Sequence, residues 1–236
     1  MQGIYEASKI LKKYFPLHGA RLTFISQMMQ ALIKVRTVNL HDLAAAFSGS
    51  NQIASNEKRI WRFLKFEKFE LSHVSQFIAS FLPKNEKWLL SLDRTTWQIG
   101  SQVINILTLA VVHKGVAIPL MWKLLRKEDV ETGKKGNSNC AERIELMALF
   151  IKLFDKKLIE AVIGDREFIG NPWLLWLESK AIPFHIRIKK DLYATDIREH
   201  KRVVSYFFQD LKVGQIRRLR GKRRFGDVRV YLGGIR

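Results

Sequence analysis

Two aspartates, Asp93 in LLSLDRTTWQIG and Asp165 in IEAVIGDREF, are the residues of this sequence best placed to do chemistry, each following an apolar run. Residues 88–92 before the first and 159–163 before the second read as buried strands, so both carboxylates should emerge from a rigid sheet. A carboxylate pair can hold two divalent cations about 3.5 to 4 Å apart. One cation then activates a water or hydroxyl, and the other stabilises the leaving oxygen of an in-line phosphoryl displacement. Oxygen donors favour Mg2+ or Mn2+ over zinc. Taken singly, each Asp also fits a turn cap, because its short side chain bonds local backbone donors.

The charge balance points to a polyanionic partner. Lys plus Arg number 41 against 22 Asp plus Glu, a formal net charge of +19, and sequence-independent phosphate contacts need such an excess. With 47% hydrophobic and 11% aromatic residues the chain can bury a core, which excludes a disordered basic tail. Its 236 residues suit one large or two small domains. The single Cys140, in GNSNCAERIE, excludes a disulfide framework and a Cys-based zinc site, and fits a reducing cytoplasm. The first 15 residues lack a signal-peptide pattern, and no apolar run reaches the ~18 residues that span a bilayer. A soluble, intracellular protein without a membrane partner is expected. There is no internal repeat or low-complexity tract.

The pattern changes near Pro83, within FLPKNE. Before it, helical spacing of apolar residues predicts helices over 4–15, 22–35, 40–47, 59–66 and 74–82, with a turn at 48–51. In SNEKRIWRFLKF, Lys58, Arg59, Arg62 and Lys65 fall mostly on one helical face, while Ile60, Trp61 and Leu64 face elsewhere and are expected to be buried. Trp61 and Phe63 read as core rather than base-stacking groups. A helix-turn-helix that presents the basic face to DNA fits this region; so does a solvated cationic face on a core helix.

After Lys87 the order of elements is more diagnostic. Strands over 88–97, 103–113 and 116–124, joined by short turns at Gly100-Ser101 and Lys114-Gly115, form an antiparallel meander. A polar, flexible loop over 126–139 precedes an amphipathic helix over 141–154, with Ile144, Met147, Ala148, Ile151 and Leu153 available for burial. A strand over 158–164 ends at Asp165, Pro172 starts a helix, and a strand follows over 182–188. This β-β-β-α-β-α-β order matches a ribonuclease-H-like mixed sheet flanked by helices, an α+β or α/β class. Strands one and four are neighbours in that fold, which would bring the two aspartates together across 72 positions.

These motifs resemble the DDE transposases of bacterial insertion sequences, of the group called IS-four. The resemblance rests on SLDRTTW around Asp93, KKGNSNCAERIELM before the central helix and IGDREFIGNPWLLWL around Asp165, and covers most of the chain. The stretch VNLHDLAAAFSGSNQIASNEKRIWRFLKF is similar to the helical DNA-end-binding region of that group. The resemblance implies that Asp93 and Asp165 are two of three catalytic carboxylates holding Mg2+ (or Mn2+). The implied reaction is strand cleavage at transposon ends, by water, followed by attack of a DNA 3′-hydroxyl on target DNA. It further implies double-stranded DNA as partner, a homodimer in the DNA complex, and a bacterial cytoplasmic, nucleoid-associated location. The family's third ligand is a Glu in the pattern Tyr, two residues, Arg, three residues, Glu, six residues, Lys. No tyrosine here starts it: the third residue after Tyr193 is Asp196, after Tyr206 Gln209, and after Tyr231 Gly234.

Three parts are therefore expected: a helical DNA-binding region over 1–84, a partial catalytic core over 85–190, and the start of a basic β-rich insertion over 191–236. From Arg187 onward, 15 Lys plus Arg stand against 5 Asp plus Glu. RRLRGKRRFGDVRVYLGG reads as two strands around a basic Gly-containing turn, so Arg217, Arg218, Arg220, Lys222, Arg223 and Arg224 join Arg59, Arg62 and Lys65 as candidate DNA contacts. Basic faces of an edge hairpin would look the same. Glu167, Glu178 and Glu199 lack the context of a third ligand, and Arg94 and Arg166 read as ion-pair partners or phosphate contacts. Three functional readings follow. One is a transposase cut short before its third ligand and inactive alone; another is a truncated DNA-binding inhibitor of transposition; the last is another ribonuclease-H-like nuclease or resolvase.

Overall fold

A computed structural model describes residues 2–49, 51–66, 69–99, 102–125 and 139–236. The chain divides into two compact units, Met1–Leu82 and Pro83–Arg236.

The first unit is helical: α1 (Gln2–Lys12), α2 (Gly19–Val35), α3 (Leu40–Ala45), α4 (Ile53–Phe66) and α5 (Leu71–Ala79). Local chemistry sets the ends. His18 Nδ1 accepts from the Ala20 amide ahead of α2, and Asn39 Oδ1 accepts from the His41 amide at 2.9 Å ahead of α3. Two small cores hold the helices. Phe24, Ala31, Leu43, Ala44, Phe47 and Ile60 form one, and Leu11, Phe15 and Leu22 the other. The fourth helix begins six residues before the expected Arg59. Its inward stripe is Asn56, Ile60 and the half-buried Phe63, with Asn56 donating to the Ala44 carbonyl at 3.2 Å. That register turns Trp61 and Leu64 outward, 63% and 51% exposed, against the expectation that both are buried.

The second unit is built on five strands: β1 (Trp88–Ile99), β2 (Gln102–His113), β3 (Val116–Leu125), β4 (Ile159–Gly164) and β5 (Phe184–Ile186). Their order is β3-β2-β1-β4-β5, with β1 to β3 antiparallel and β4 and β5 parallel to β1. The architecture is mixed α+β and compatible with a ribonuclease-H-like sheet. Lys114 and Gly115, at φ 50° and 80°, close the β2–β3 hairpin in the left-handed geometry that matches strand twist. The expected turn at Gly100-Ser101 and all but the last residue of the expected loop over 126–139 lie outside the described residues.

Helix α6 (Cys140–Leu153) opens with a capping box in which Asn139 and Glu142 each bond the other's backbone amide, at 2.9 and 2.8 Å. Its buried stripe is Arg143, Leu146, Met147 and Phe150. Ala148, expected inside, is exposed because the stripe runs one step earlier on the helix. Helix α7 (Asn171–Ser179) has Pro172 in its first turn and buries Trp173, Leu174 and Leu177. These residues, with Leu90, Leu92, Leu107, Leu109, Met121 and Val162, make up the core of the unit.

Residues 191–236 pack within the same unit, as three short ladders. β6 (Tyr193–Thr195) pairs with β7 (Lys201–Val203), β8 (Ile216–Arg218) with β11 (Gly233–Ile235), and β9 (Arg223–Phe225) with β10 (Val228–Val230). In place of the expected two strands around one basic Gly-containing turn, the segment forms a nested arrangement, with β9–β10 between β8 and β11. The tight turn falls at Gly226-Asp227, where Gly226 has φ 57° and a Cβ would lie 2.0 Å from Asn171 Oδ1. Asn171 Nδ2 donates to Asp227 at 2.9 Å and ties this turn to the start of α7. Among the described residues no helix is long and apolar enough to cross a membrane.

Leu109, fully buried at mid-sheet beside Leu92 and Met121, tests this core. Leu109→Ala should cost about 2 to 5 kcal/mol, through lost transfer energy and the cavity left behind. Urea unfolding of the far-ultraviolet signal would measure it; a change under about 0.5 kcal/mol would place Leu109 at the surface.

Candidate active site and nucleic-acid contacts

The parallel ladder between β1 and β4 ends with Leu92 opposite Gly164. Asp93 and Asp165 are the next residues on the two chains: Asp93 continues β1, and Asp165 leaves β4 at the point where neighbouring strands lie about 4.8 Å apart. Strand alternation explains how Asp93 reaches solvent. Leu90 and Leu92 are buried on one face, while Asp93 is exposed between them and the half-buried Arg94. Among the described residues no hydrogen bond or ion pair engages the Asp93 carboxylate.

Asp165 begins a tight turn. Its carbonyl accepts from the Phe168 amide at 3.1 Å, and its Oδ1 accepts from the Glu167 amide at 2.8 Å. The turn-cap role that any Asp can play is thus present at Asp165, through one oxygen of a residue that is itself exposed. Phe168, 1% exposed, plugs the turn into the core; a Cβ on Gly164 would sit 3.1 Å from its ring, a contact that a side chain there fits only if the ring shifts by a few tenths of an ångström.

Glu167 is held from both ends. Arg94 Nε donates to its Oε1 at 3.1 Å and Arg94 Nη2 to its Oε2 at 3.1 Å, and both side chains are mostly buried. The same guanidinium reaches Asn105 Oδ1 at 3.1 Å and Thr96 Oγ1 at 3.3 Å, and Thr96 itself donates to Asn105 at 2.7 Å. Of Arg94 and Arg166, the two arginines that the sequence offers as ion-pair partners or phosphate contacts, Arg94 on the neighbouring strand is the one that pairs with Glu167. On the other side Arg143, 3% exposed, donates to the carbonyls of Glu167 at 2.9 Å and Ile169 at 3.2 Å, with its guanidinium 5.2 Å from the Phe168 ring. Burial lowers the pKa of Arg143 from its ordinary value, offset in part by the neighbouring Cys140, Glu167 and Glu142. Sequence reasoning passed over Asn105 and Arg143. Asn105 is the polar break in the apolar run VINILTLAVV, and Arg143 falls in register with Leu146, Met147 and Phe150.

Among the described residues no group of three or more His, Cys, Asp and Glu side chains is gathered to hold a metal ion. Among the described residues no cationic side chain pairs with the Asp93 or Asp165 carboxylate, and two exposed carboxylates are a donor set that fits a hard divalent cation.

The basic candidates divide by their contacts. Arg59 is turned inward, donating to Asn56 Oδ1 at 3.2 Å with its guanidinium 5.3 Å from the Phe24 ring. Lys58, Arg62 and Lys65 share the exposed side of α4 with Trp61. In the second unit Arg217 is bidentate on Asp210 at 2.7 and 2.6 Å, which holds the Asp210 carboxyl below its usual range and raises Arg217. Arg223 bonds the carbonyls of Arg220, Gly221 and Lys222 and so braces its own turn. Arg218 lies over the Tyr231 ring at 4.4 Å, Lys222 at 6.0 Å, and Arg220 and Arg224 are exposed.

No protein-family model matches the chain, and no curated protein does. Among solved structures it is similar to a chain of the simian T-cell lymphotropic virus intasome in complex with PP2A regulatory subunit B56 gamma. That likeness has 10% identity and a TM-score of 0.32 over 59% of this chain and 45% of the other. It is also similar to the large terminase of the thermophilic bacteriophage D6E, with 21% identity and a TM-score of 0.28 over 46% of this chain and 25% of the other. The chain thus spans less than half the length of either. Likeness at this level says nothing of function, and the fold assignment rests on the strand order and pairing above.

The inward turn of Arg59 makes it a stability residue. Arg59→Ala should destabilise the helical unit by about 1 to 2 kcal/mol, whereas Arg62→Ala should stay within about 0.5 kcal/mol of the parent. Thermal unfolding of the two variants separates them, and equal effects would contradict the register of α4.

Proposed function

We propose that this chain is a DNA strand-cleaving and strand-transferring enzyme of the insertion-sequence transposase type, resembling the IS-four group. The observation that carries the reading is the parallel pairing of β1 with β4. It puts Leu92 opposite Gly164, so that the aspartates that follow each, distant in sequence, come where that ladder ends, in a chain of net charge +19.

In this reading Asp93 and Asp165 hold Mg2+ or Mn2+. The metal would activate the attacking oxygen and neutralise charge on the phosphodiester and leaving oxygen. The chain's own residues bind and orient the polymer. Lys58, Arg62 and Lys65 on α4, and Arg218, Arg220, Lys222 and Arg224 around the nested ladders, contact the backbone without reading its sequence. Water is the first nucleophile, and the DNA 3′-hydroxyl it frees is the second. Joining two transposon ends to one target calls for two copies of the chain, so the working state is a homodimer on double-stranded DNA.

Two experiments test the reading. Mn2+ should broaden the amide signals of residues near Asp93 and Asp165, and Asp93→Ala or Asp165→Ala should weaken Mn2+ binding by more than about tenfold while leaving DNA retention in a gel shift nearly unchanged. The same variants should abolish any Mn2+-dependent nicking of supercoiled DNA. Mn2+ titrations that do not distinguish either variant from the parent would sink the metal assignment. DNA binding that is retained without nicking, with Mn2+ bound, would favour a protein that occupies DNA without cutting it. For the basic faces, Arg62→Ala and Arg224→Ala should each flatten the slope of log K against log salt by about one unit. A slope unchanged in both would remove these residues from the interface.

A further inference from the structure

Resting on that reading, we infer that Glu167 is a positioning residue whose main chain aims the Asp165 carboxylate, and that Arg94 and Arg143 act through it. Three groups of this single residue are engaged at once. Its amide donates to Asp165 Oδ1 at 2.8 Å, its carbonyl accepts from Arg143 at 2.9 Å, and its carboxylate receives the Arg94 fork at 3.1 Å.

The geometry gives each contact a direction. Arg94 follows Asp93 on β1, and strand alternation sends its side chain to the face opposite the Asp93 carboxylate, where Thr96 and Asn105 fix the guanidinium. Because Arg94 is one peptide from the first aspartate and grips the residue two places after the second, the pair locks the two carboxylates to each other. Arg143 holds the far side of the same turn through the Glu167 and Ile169 carbonyls, over the ring of the buried Phe168. The turn therefore cannot rotate its amide away from Asp165 without breaking mostly buried, charge-assisted hydrogen bonds.

This arrangement gives Glu167 a role other than metal ligand. Both its oxygens are taken by Arg94, and a carboxylate in that state is a poor cation donor. It serves instead as an orienting partner of the kind that holds a ligating carboxylate in place from outside the coordination sphere.

Mn2+ affinity and amide exchange in the full chain test the inference. Arg94→Ala and Glu167→Ala should each weaken Mn2+ binding by about tenfold or more. Each should also speed exchange of the residue-167 amide by about tenfold, with DNA retention unchanged. The charge swap Arg94→Glu with Glu167→Arg should restore much of both readouts, which a loss of general stability would not allow. An Arg94→Ala variant that binds Mn2+ more tightly than the parent would show Glu167 to be a ligand released from its partner, and would overturn the inference. So would Mn2+ affinity and exchange that match the parent in both single variants. If Asp93→Ala leaves Mn2+ affinity unchanged, the metal reading fails separately, and the exchange of the residue-167 amide alone decides whether the clamp holds the turn.

Discussion

The parallel ladder between β1 and β4 is the constraint on which the rest of the second unit depends. Closing a flexible loop of 72 residues costs about 4 kcal/mol of chain entropy. That cost is met by burial along the ladder itself. Leu90 and Val162 are fully buried as direct partners, with Leu92 and Ala161 at 3%, and each large apolar side chain removed from water contributes about 1.5 to 3 kcal/mol. The apolar runs that precede the aspartates are therefore what holds the aspartates together. The exposed carboxylates are passengers on a buried seam, placed where the seam meets solvent.

Much of this was legible in the sequence, for a reason specific to strands. Runs such as WLLSL and IEAVI identify themselves by composition, and the order of elements between them limits the sheets that can form. The pairing of β1 with β4 follows from that order. Side-chain partnerships were not legible in the same way. In α4 apolar residues occur on both sides of the helix, so pattern alone gave Trp61, Leu64 and Phe63 equal claims to the core. Packing against Phe24 and Ala44 chose Ile60 and Phe63 and turned Arg59 inward. The nested ladders over 216–235 were misread because two glycine turns lie five residues apart. The second, at Gly226, packed against Asn171, is the one that forms the hairpin.

The contact between Arg94 and Glu167 was illegible for another reason: it joins residues 73 positions apart through side chains alone. A sequence reading that notices Glu167 looks first at its neighbour Arg166. The sheet brings a better partner, already ordered by Asn105 and Thr96, and an ordered fork loses less freedom on pairing than a solvated side chain does.

Period-two alternation then sorts the charges of the site. In a chain with nearly twice as many cationic as anionic side chains, acidic groups tend to be neutralised. Glu199 pairs with Arg229, Asp210 with Arg217, Asp196 with Arg202 and Glu145 with Lys123. On β1 the alternation puts Asp93 on one face and Arg94 on the other, so adjacent opposite charges are kept apart by the backbone between them. A register slip of one residue would exchange their faces. Arg94 would then meet solvent and Asp93 would be buried beside Leu107, a position no carboxylate can occupy without a partner. The energetic penalty of that slip favours the observed strand register, and the register in turn leaves one carboxylate exposed on the sheet face while its cationic neighbour secures the turn that carries the other.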